Sequence, residues 1–94
     1  MIRTFADKVT AALFMGQQAR RITPDVQPRA RMKLLQLDAA QSLEDLKAPP
    51  SNRLEALKGD RKGQWSIRVN DQWRVCFKWR DGDAFDVEFT DYHG

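Results

Sequence analysis

Among the 94 residues there is one histidine, His93, directly after Asp91 and Tyr92. Its ordinary pKa, about 6.5, makes it the side chain best suited to exchange a proton near neutral pH. Lys58, Arg61 and Arg74 suit a different task, that of holding a phosphate and stabilising the charge it gains in a transition state. Arginine would do so by its fork geometry and lysine as a point charge. Glu55 and Asp91 are carboxylates able to accept a proton beside such a site, and Tyr92 is a candidate for stacking on a base. Each group also has a plainer reading. A histidine this close to a terminus is ordinarily a tail residue, isolated surface cations are ordinarily solvated, and exposed carboxylates ordinarily serve solubility. Cys76, the one cysteine, lies between Val75 and Phe77 with no Cys or His at ligand spacing. It reads as a small strand filler, and metal chemistry is not expected. Gly59 and Gly63 permit a tight connection around Lys58, but the spacing of a P-loop is absent.

The strands that must position these groups carry a period-two pattern. Trp65, Ile67 and Val69 alternate with Gln64, Ser66 and Arg68, while Trp73, Val75, Phe77 and Trp79 alternate with Gln72, Arg74, Cys76 and Lys78. Phe85, Val87 and Phe89 supply a third apolar set. A slip of one residue would exchange the two faces, so parity predicts the loops. A three-residue loop, Asn70-Asp71-Gln72, pairs Val69 with Trp73. A second, Asp81-Gly82-Asp83, pairs Trp79 with Phe85, Phe77 with Val87 and Val75 with Phe89. The three tryptophans then lie on the apolar face and read as core. The opposite face gathers Arg68, Arg74, Lys78, Thr90 and Tyr92, with Arg74 across from Thr90 and Lys78 across from Asp86. Strict alternation sends His93 to the core face, so bringing it to Arg74 requires the strand to end or twist after Tyr92.

Before the strands, residues 2–5 read as a short edge strand. Asp7 is placed to cap a first helix with apolar positions Val9, Ala12, Leu13 and Met15, ending at Gly16. A second helix is expected over about residues 28–40, with Met32, Leu35, Ala39 and Leu43 as its packed stripe. Ser42 and Asp45 can start a further turn, which Pro49-Pro50-Ser51-Asn52 stops. The expectation is an α+β fold in one domain over residues 1–94, with N-terminal helices on one face of a mostly antiparallel sheet of three to four strands.

The chain carries 16 Lys and Arg against 13 Asp and Glu, a net charge of +3. The excess is local: Lys58, Arg61, Lys62, Arg68, Arg74, Lys78 and Arg80, with Arg53 just upstream, stand against Asp60 and Asp71. Such a patch is a candidate phosphate footprint. No run of residues nears the length of about 20 apolar residues that a membrane-spanning helix needs. One cysteine and an N-terminal stretch broken by Arg3, Asp7 and Lys8 suggest a cytosolic protein with no membrane role.

Four segments resemble the HigB branch of the RelE/ParE toxin superfamily: Leu57-Lys58-Gly59-Asp60-Arg61, Gln64-Trp65-Ser66-Ile67-Arg68-Val69, Asn70-Asp71-Gln72-Trp73-Arg74-Val75 and the terminal Asp91-Tyr92-His93. The opening Met1-Ile2-Arg3-Thr4-Phe5 fits as well, so the resemblance spans the chain. It implies a toxin of a type II toxin–antitoxin pair that cuts mRNA on the ribosome without a metal or other cofactor, by attack of a ribose 2′-hydroxyl on the adjacent phosphodiester. On that resemblance His93 is the acid or base, Lys58 and Arg74 stabilise the phosphate, and Tyr92 with Asp91 orient or stack. Arg61, Lys62, Arg68 and Lys78 are RNA-binding candidates. Some relatives carry a second histidine shortly before the lysine. Glu55 stands there in this chain, either as the base or as an inert replacement. The implied partners are a helix-turn-helix antitoxin, through which alone operator DNA would be contacted, and the ribosome with its mRNA. Two other functions remain compatible with the residues: a ParE-type poison of DNA gyrase, and a non-catalytic RNA-binding module.

Overall fold

The computed structural model describes residues 1–91, in which four antiparallel strands follow one another across the sheet. They are β1 (Glu55–Ala56), β2 (Trp65–Arg68), β3 (Arg74–Arg80) and β4 (Asp83–Thr90). Two helices, α1 (Lys8–Phe14) and α2 (Gln27–Ala39), cover one face. Between them and the sheet, Leu13, Ala30, Leu34 and Leu37 meet Ile67, Val75, Phe77, Val87 and Phe89 in one buried core. Trp65, Trp73 and Trp79 pack against this core, half-buried, as parity requires. Trp73 stacks on Phe89 with ring centroids 4.6 Å apart.

The β2–β3 register is the expected one. Trp65 lies opposite Phe77, Ile67 opposite Val75 and Arg68 opposite Arg74. The Val69 N–H donates to the Trp73 carbonyl at 2.9 Å. Asn70 holds the loop because its Oδ1 accepts from the N–H groups of Gln72 and Trp73 at 2.9 and 2.7 Å.

The β3–β4 pair departs from expectation. Arg74 faces Thr90 and Val75 faces Phe89 as predicted, but Lys78 faces Phe85, Trp79 faces Ala84 and Arg80 faces Asp83. The connection is therefore the two-residue turn Asp81-Gly82, whose φ angles of 53° and 82° suit an Asp-Gly hairpin. The residue saved at the turn is taken up as a bulge in β4, where Asp86 has a φ of 52°. Thr4 stabilises the bulge: its hydroxyl accepts the Asp86 N–H at 2.8 Å, and its carbonyl accepts the Val87 N–H at 3.1 Å. Parity reverses across the bulge. Val87 stays in the core, while Phe85 moves to the face of its partner Lys78 instead of completing the apolar set.

Residues 2–5 do not form a full edge strand. Two isolated parallel bridges, Ile2 to Ala84 and Phe5 to Val87, fall on either side of the bulge that breaks the ladder between them. Arg3 Nε lies 3.1 Å from Asp83 Oδ2, and this hydrogen bond holds the Asp83 carboxyl below its ordinary pKa.

The first helix begins where the sequence places it, with Asp7 Oδ1 accepting the Thr10 N–H at 2.7 Å. It ends against Gly16, whose φ of 78° closes the turn. The buried stripes differ from those expected. In α1, Thr10 and Leu13 are buried while Val9, and Met15 just after the helix, are exposed, and in α2, Ala30, Leu34 and Leu37 are buried while Met32 and Leu35 are exposed. Both candidate rows of α2 step by three and four, so spacing alone does not choose between them. The turn after α2 carries the expected capping box of Ser42 and Asp45. Beyond it the buried Asn52 Nδ2 donates to the carbonyls of Leu46 and Ala48 at 3.1 and 3.3 Å.

Thr10 ties α1 to β4, because its buried hydroxyl accepts the Phe89 N–H at 2.9 Å. Thr10→Val keeps the shape but leaves that N–H without a partner, so stability should fall by about 1–3 kcal/mol in urea unfolding, while Thr10→Ser retains most of it. Equal stability of wild type and Thr10→Val would show that the bond contributes nothing net.

Candidate active site

The sheet face turned away from the helices carries two ion pairs on either side of Cys76. Arg74 Nη1 donates to Ser66 Oγ at 2.8 Å and lies 3.7 Å from Glu55 Oε1. Arg61 comes from the short 3₁₀ turn Gly59–Arg61, and its Nη1 donates to Gln64 Oε1 at 3.2 Å and to Glu88 Oε1 at 3.0 Å. Only 17% of the Arg74 side chain is exposed, so its guanidinium is fixed by packing as well as by charge. Cys76 stands opposite Ser66 on one side and Glu88 on the other, fully buried. Burial pushes its thiol up to about 11, with Arg61 and Arg74 pulling down and Glu88 and Glu55 pushing up. The group is thus a neutral thiol at physiological pH and no nucleophile.

The expected residues are distributed around this cluster. Glu55 lies in β1, paired with Ser66, rather than in a loop, which brings its carboxylate to Arg74. Lys58 opens the connection from β1 to β2. It is exposed, but the buried Leu57 before it anchors the backbone by donating to the Gln64 carbonyl at 2.9 Å. Lys62 is also exposed, in the same connection. Arg68 pairs with Asp71 at one end of the β2–β3 hairpin, and Lys78 lies 3.2 Å from Asp86 toward the other end of β3. Asp91 follows Thr90, the ladder partner of Arg74, and its Oδ2 accepts from Gln72 Nε2 at 3.3 Å. Tyr92 and His93 lie outside the described residues. Ser66, Gln64 and Glu88 were not among the sequence candidates. Alternation already set Ser66 and Gln64 beside Arg74, and Glu88 shares the parity of Thr90. Among the described residues no group of three or more His, Cys, Asp or Glu is placed to hold a metal ion.

Chemically, the cluster offers fixed cations for an anion, each beside a carboxylate that can accept a proton or yield its place. The family of RelE-like toxins of the type II toxin–antitoxin system HigB matches residues 3–93. Toxin HigB-1 of Vibrio cholerae is 40% identical over 94 residues, covering 99% of this chain and 98% of that protein. Endoribonuclease HigB of Proteus vulgaris is 33% identical over 93 residues, covering 99% of this chain and all of the relative. The structure of a YoeB–YefM complex from Staphylococcus aureus is similar in fold, with a TM-score of 0.62 at 19% identity over 100% of this chain and 97% of that one.

The raised thiol has a consequence for stability. Between the ordinary value of 9.0 and about 11 the unfolded chain releases the Cys76 proton while the folded chain keeps it, so stability falls as pH rises through that window. Urea unfolding should show a steeper loss there for wild type than for Cys76→Ala. Parallel losses would mean that the thiol titrates alike in both states.

Proposed function

The chain belongs to the HigB-like family of RelE-like toxins of type II toxin–antitoxin systems, and from that premise we propose that it is an endoribonuclease that cuts mRNA on the translating ribosome. The observation that carries the proposal is Arg74, held in the open sheet face by Ser66 at 2.8 Å with the Glu55 carboxylate 3.7 Å away. An RNA phosphate meeting Arg74 and Lys58 frees Glu55 to act on the neighbouring ribose. The 2′-hydroxyl gives its proton to Glu55 and its oxygen bonds to phosphorus. The bond from phosphorus to the 5′ oxygen breaks, and His93 protonates the departing oxygen. The products are a 2′,3′-cyclic phosphate and a free 5′-hydroxyl. Lys58 and Arg74 stabilise the charge that builds on the phosphoryl oxygens, Asp91 and Tyr92 orient the acid and the nucleobase beside the bond being cut, and Arg61, Lys62, Arg68 and Lys78 attract the RNA backbone.

Membership of a toxin–antitoxin family brings an antitoxin partner. In this reading the antitoxin carries a helix-turn-helix domain, and the toxin meets operator DNA only through it. No helix among the described residues is long and apolar enough to cross a membrane. The site of action in this reading is the cytoplasm, where ribosomes translate.

His93→Ala should remove growth arrest on expression and lower cutting by about 10²–10⁴, the usual contribution of a general acid, with ribosome binding retained. Growth arrest that survives His93→Ala would contradict the mechanism. Lys58→Ala and Arg74→Ala should lower the cutting rate by about 10²–10³ and ribosome affinity by much less, because their work is done in the transition state. Equal losses in rate and affinity would reduce both residues to docking contacts.

A further inference from the structure

The bulge at Asp86 builds a second feature on the open face. It turns Phe85 out of the core and makes it the ladder partner of Lys78, where the Arg80 guanidinium lies 4.5 Å from the centre of its ring. Phe85, Arg80 and Lys78, with Thr4, Gly63, Trp79 and Asp86, line a pocket of about 500 Å³. The core does not need this ring, since Ala84 and Val87 fill the interior from either side of it. An aromatic ring held half-buried under a guanidinium, in a pocket edged by a lysine, is matched to a nucleobase with its phosphate. The guanidinium, backed by the ring beneath it, offers its outer plane to a base, and the lysine meets the backbone.

We infer that Phe85 and Arg80 form a stacking platform for one base of a single-stranded RNA, with Lys78 on a phosphate beside it. The inference rests on the reading of the protein as a nuclease and adds to it a binding subsite away from the bond being cut. Lys78 is four residues from Arg74 on the same face of β3, about 13 Å along the strand, so the platform takes a nucleotide other than the one whose phosphate meets Arg74. Lys78 is already paired with Asp86, but both side chains are about half exposed, at 56% and 51%. Pairs so exposed hold little free energy, and exchange of the carboxylate for a phosphate costs little. The positive φ of Asp86 and its two bonds to Thr4 hold the bulge, and through it the outward direction of Phe85, before any ligand arrives.

The test is fluorescence anisotropy of a short 2′-O-methyl RNA, which cannot be cut because the attacking hydroxyl is blocked, with the full chain and two variants. Phe85→Leu keeps apolar volume without a ring face, and Phe85→Trp enlarges the ring. Phe85→Leu should weaken binding by about tenfold while Phe85→Trp retains it. An abasic residue at one position of the oligonucleotide should cost wild type a similar factor and Phe85→Leu nothing further. Wild-type binding by Phe85→Leu, an equal loss with or without the base, or no binding of the oligonucleotide by wild type would each overturn the platform. Cutting of translated mRNA by wild type, followed alongside, keeps the two readings apart. Cuts without a Phe85 effect reject the platform alone, whereas absence of cuts rejects the nuclease.

Discussion

The structure depends on the alternation of β3. This strand is paired on both sides, and it sends Val75 and Phe77 into the core while Arg74, Cys76 and Lys78 face the other way. A slip of one residue would bury guanidinium and ammonium groups and expose the valine and phenylalanine, a change far costlier than any contact it could create. The hydrophobic core thus fixes where the cations stand. Glu55, Ser66, Glu88 and Thr90 reach the same face because their strands register against β3, and no contact among the charged groups is needed to bring them there.

A face built from so many cations would repel itself if each stood alone. Here Glu55 answers Arg74, Glu88 answers Arg61, Asp71 answers Arg68 and Asp86 answers Lys78, so these four cations are neutralised where they stand. The Lys78–Asp86 pair, about half exposed on both sides, contributes little to stability, whereas Arg61 and Arg74 are mostly buried and Glu88 and Glu55 help to hold them in place. On the proposed reading an RNA phosphate takes the place of each carboxylate in turn, at arginine forks that are already aimed. Cys76 in the middle keeps the floor of the cluster neutral and small, and its raised pKa follows from that burial rather than from a chemical role.

Much of this was legible in the sequence. The apolar alternation around Trp65, Trp73 and Val75 gave the β2–β3 register and the open face with Arg74 across from Thr90, because strand parity leaves few alternatives. Asp7 and the Ser42–Asp45 box marked their turns through local hydrogen bonding, which depends on neighbouring residues alone. Parity failed at Phe85 because a bulge costs a sequence nothing visible: Asp81-Gly82 signals a tight turn, but the compensating bulge depends on Thr4, eighty-two positions away from Asp86. The buried row of α2 was missed for a similar reason. Ala30, Leu34 and Leu37 differ from Met32 and Leu35 only in what they meet across the interface, and that is a tertiary fact. Ser66 and Glu88 are ordinary residues whose importance lies in their partners, Arg74 and Arg61.

The most direct measurement is primer extension on an mRNA translated in a purified system, with and without the protein. The account predicts new ends within the reading frame that appear only when the message is being translated. Intact mRNA in the presence of protein that still arrests growth would contradict it and point to a target other than the message, DNA gyrase first.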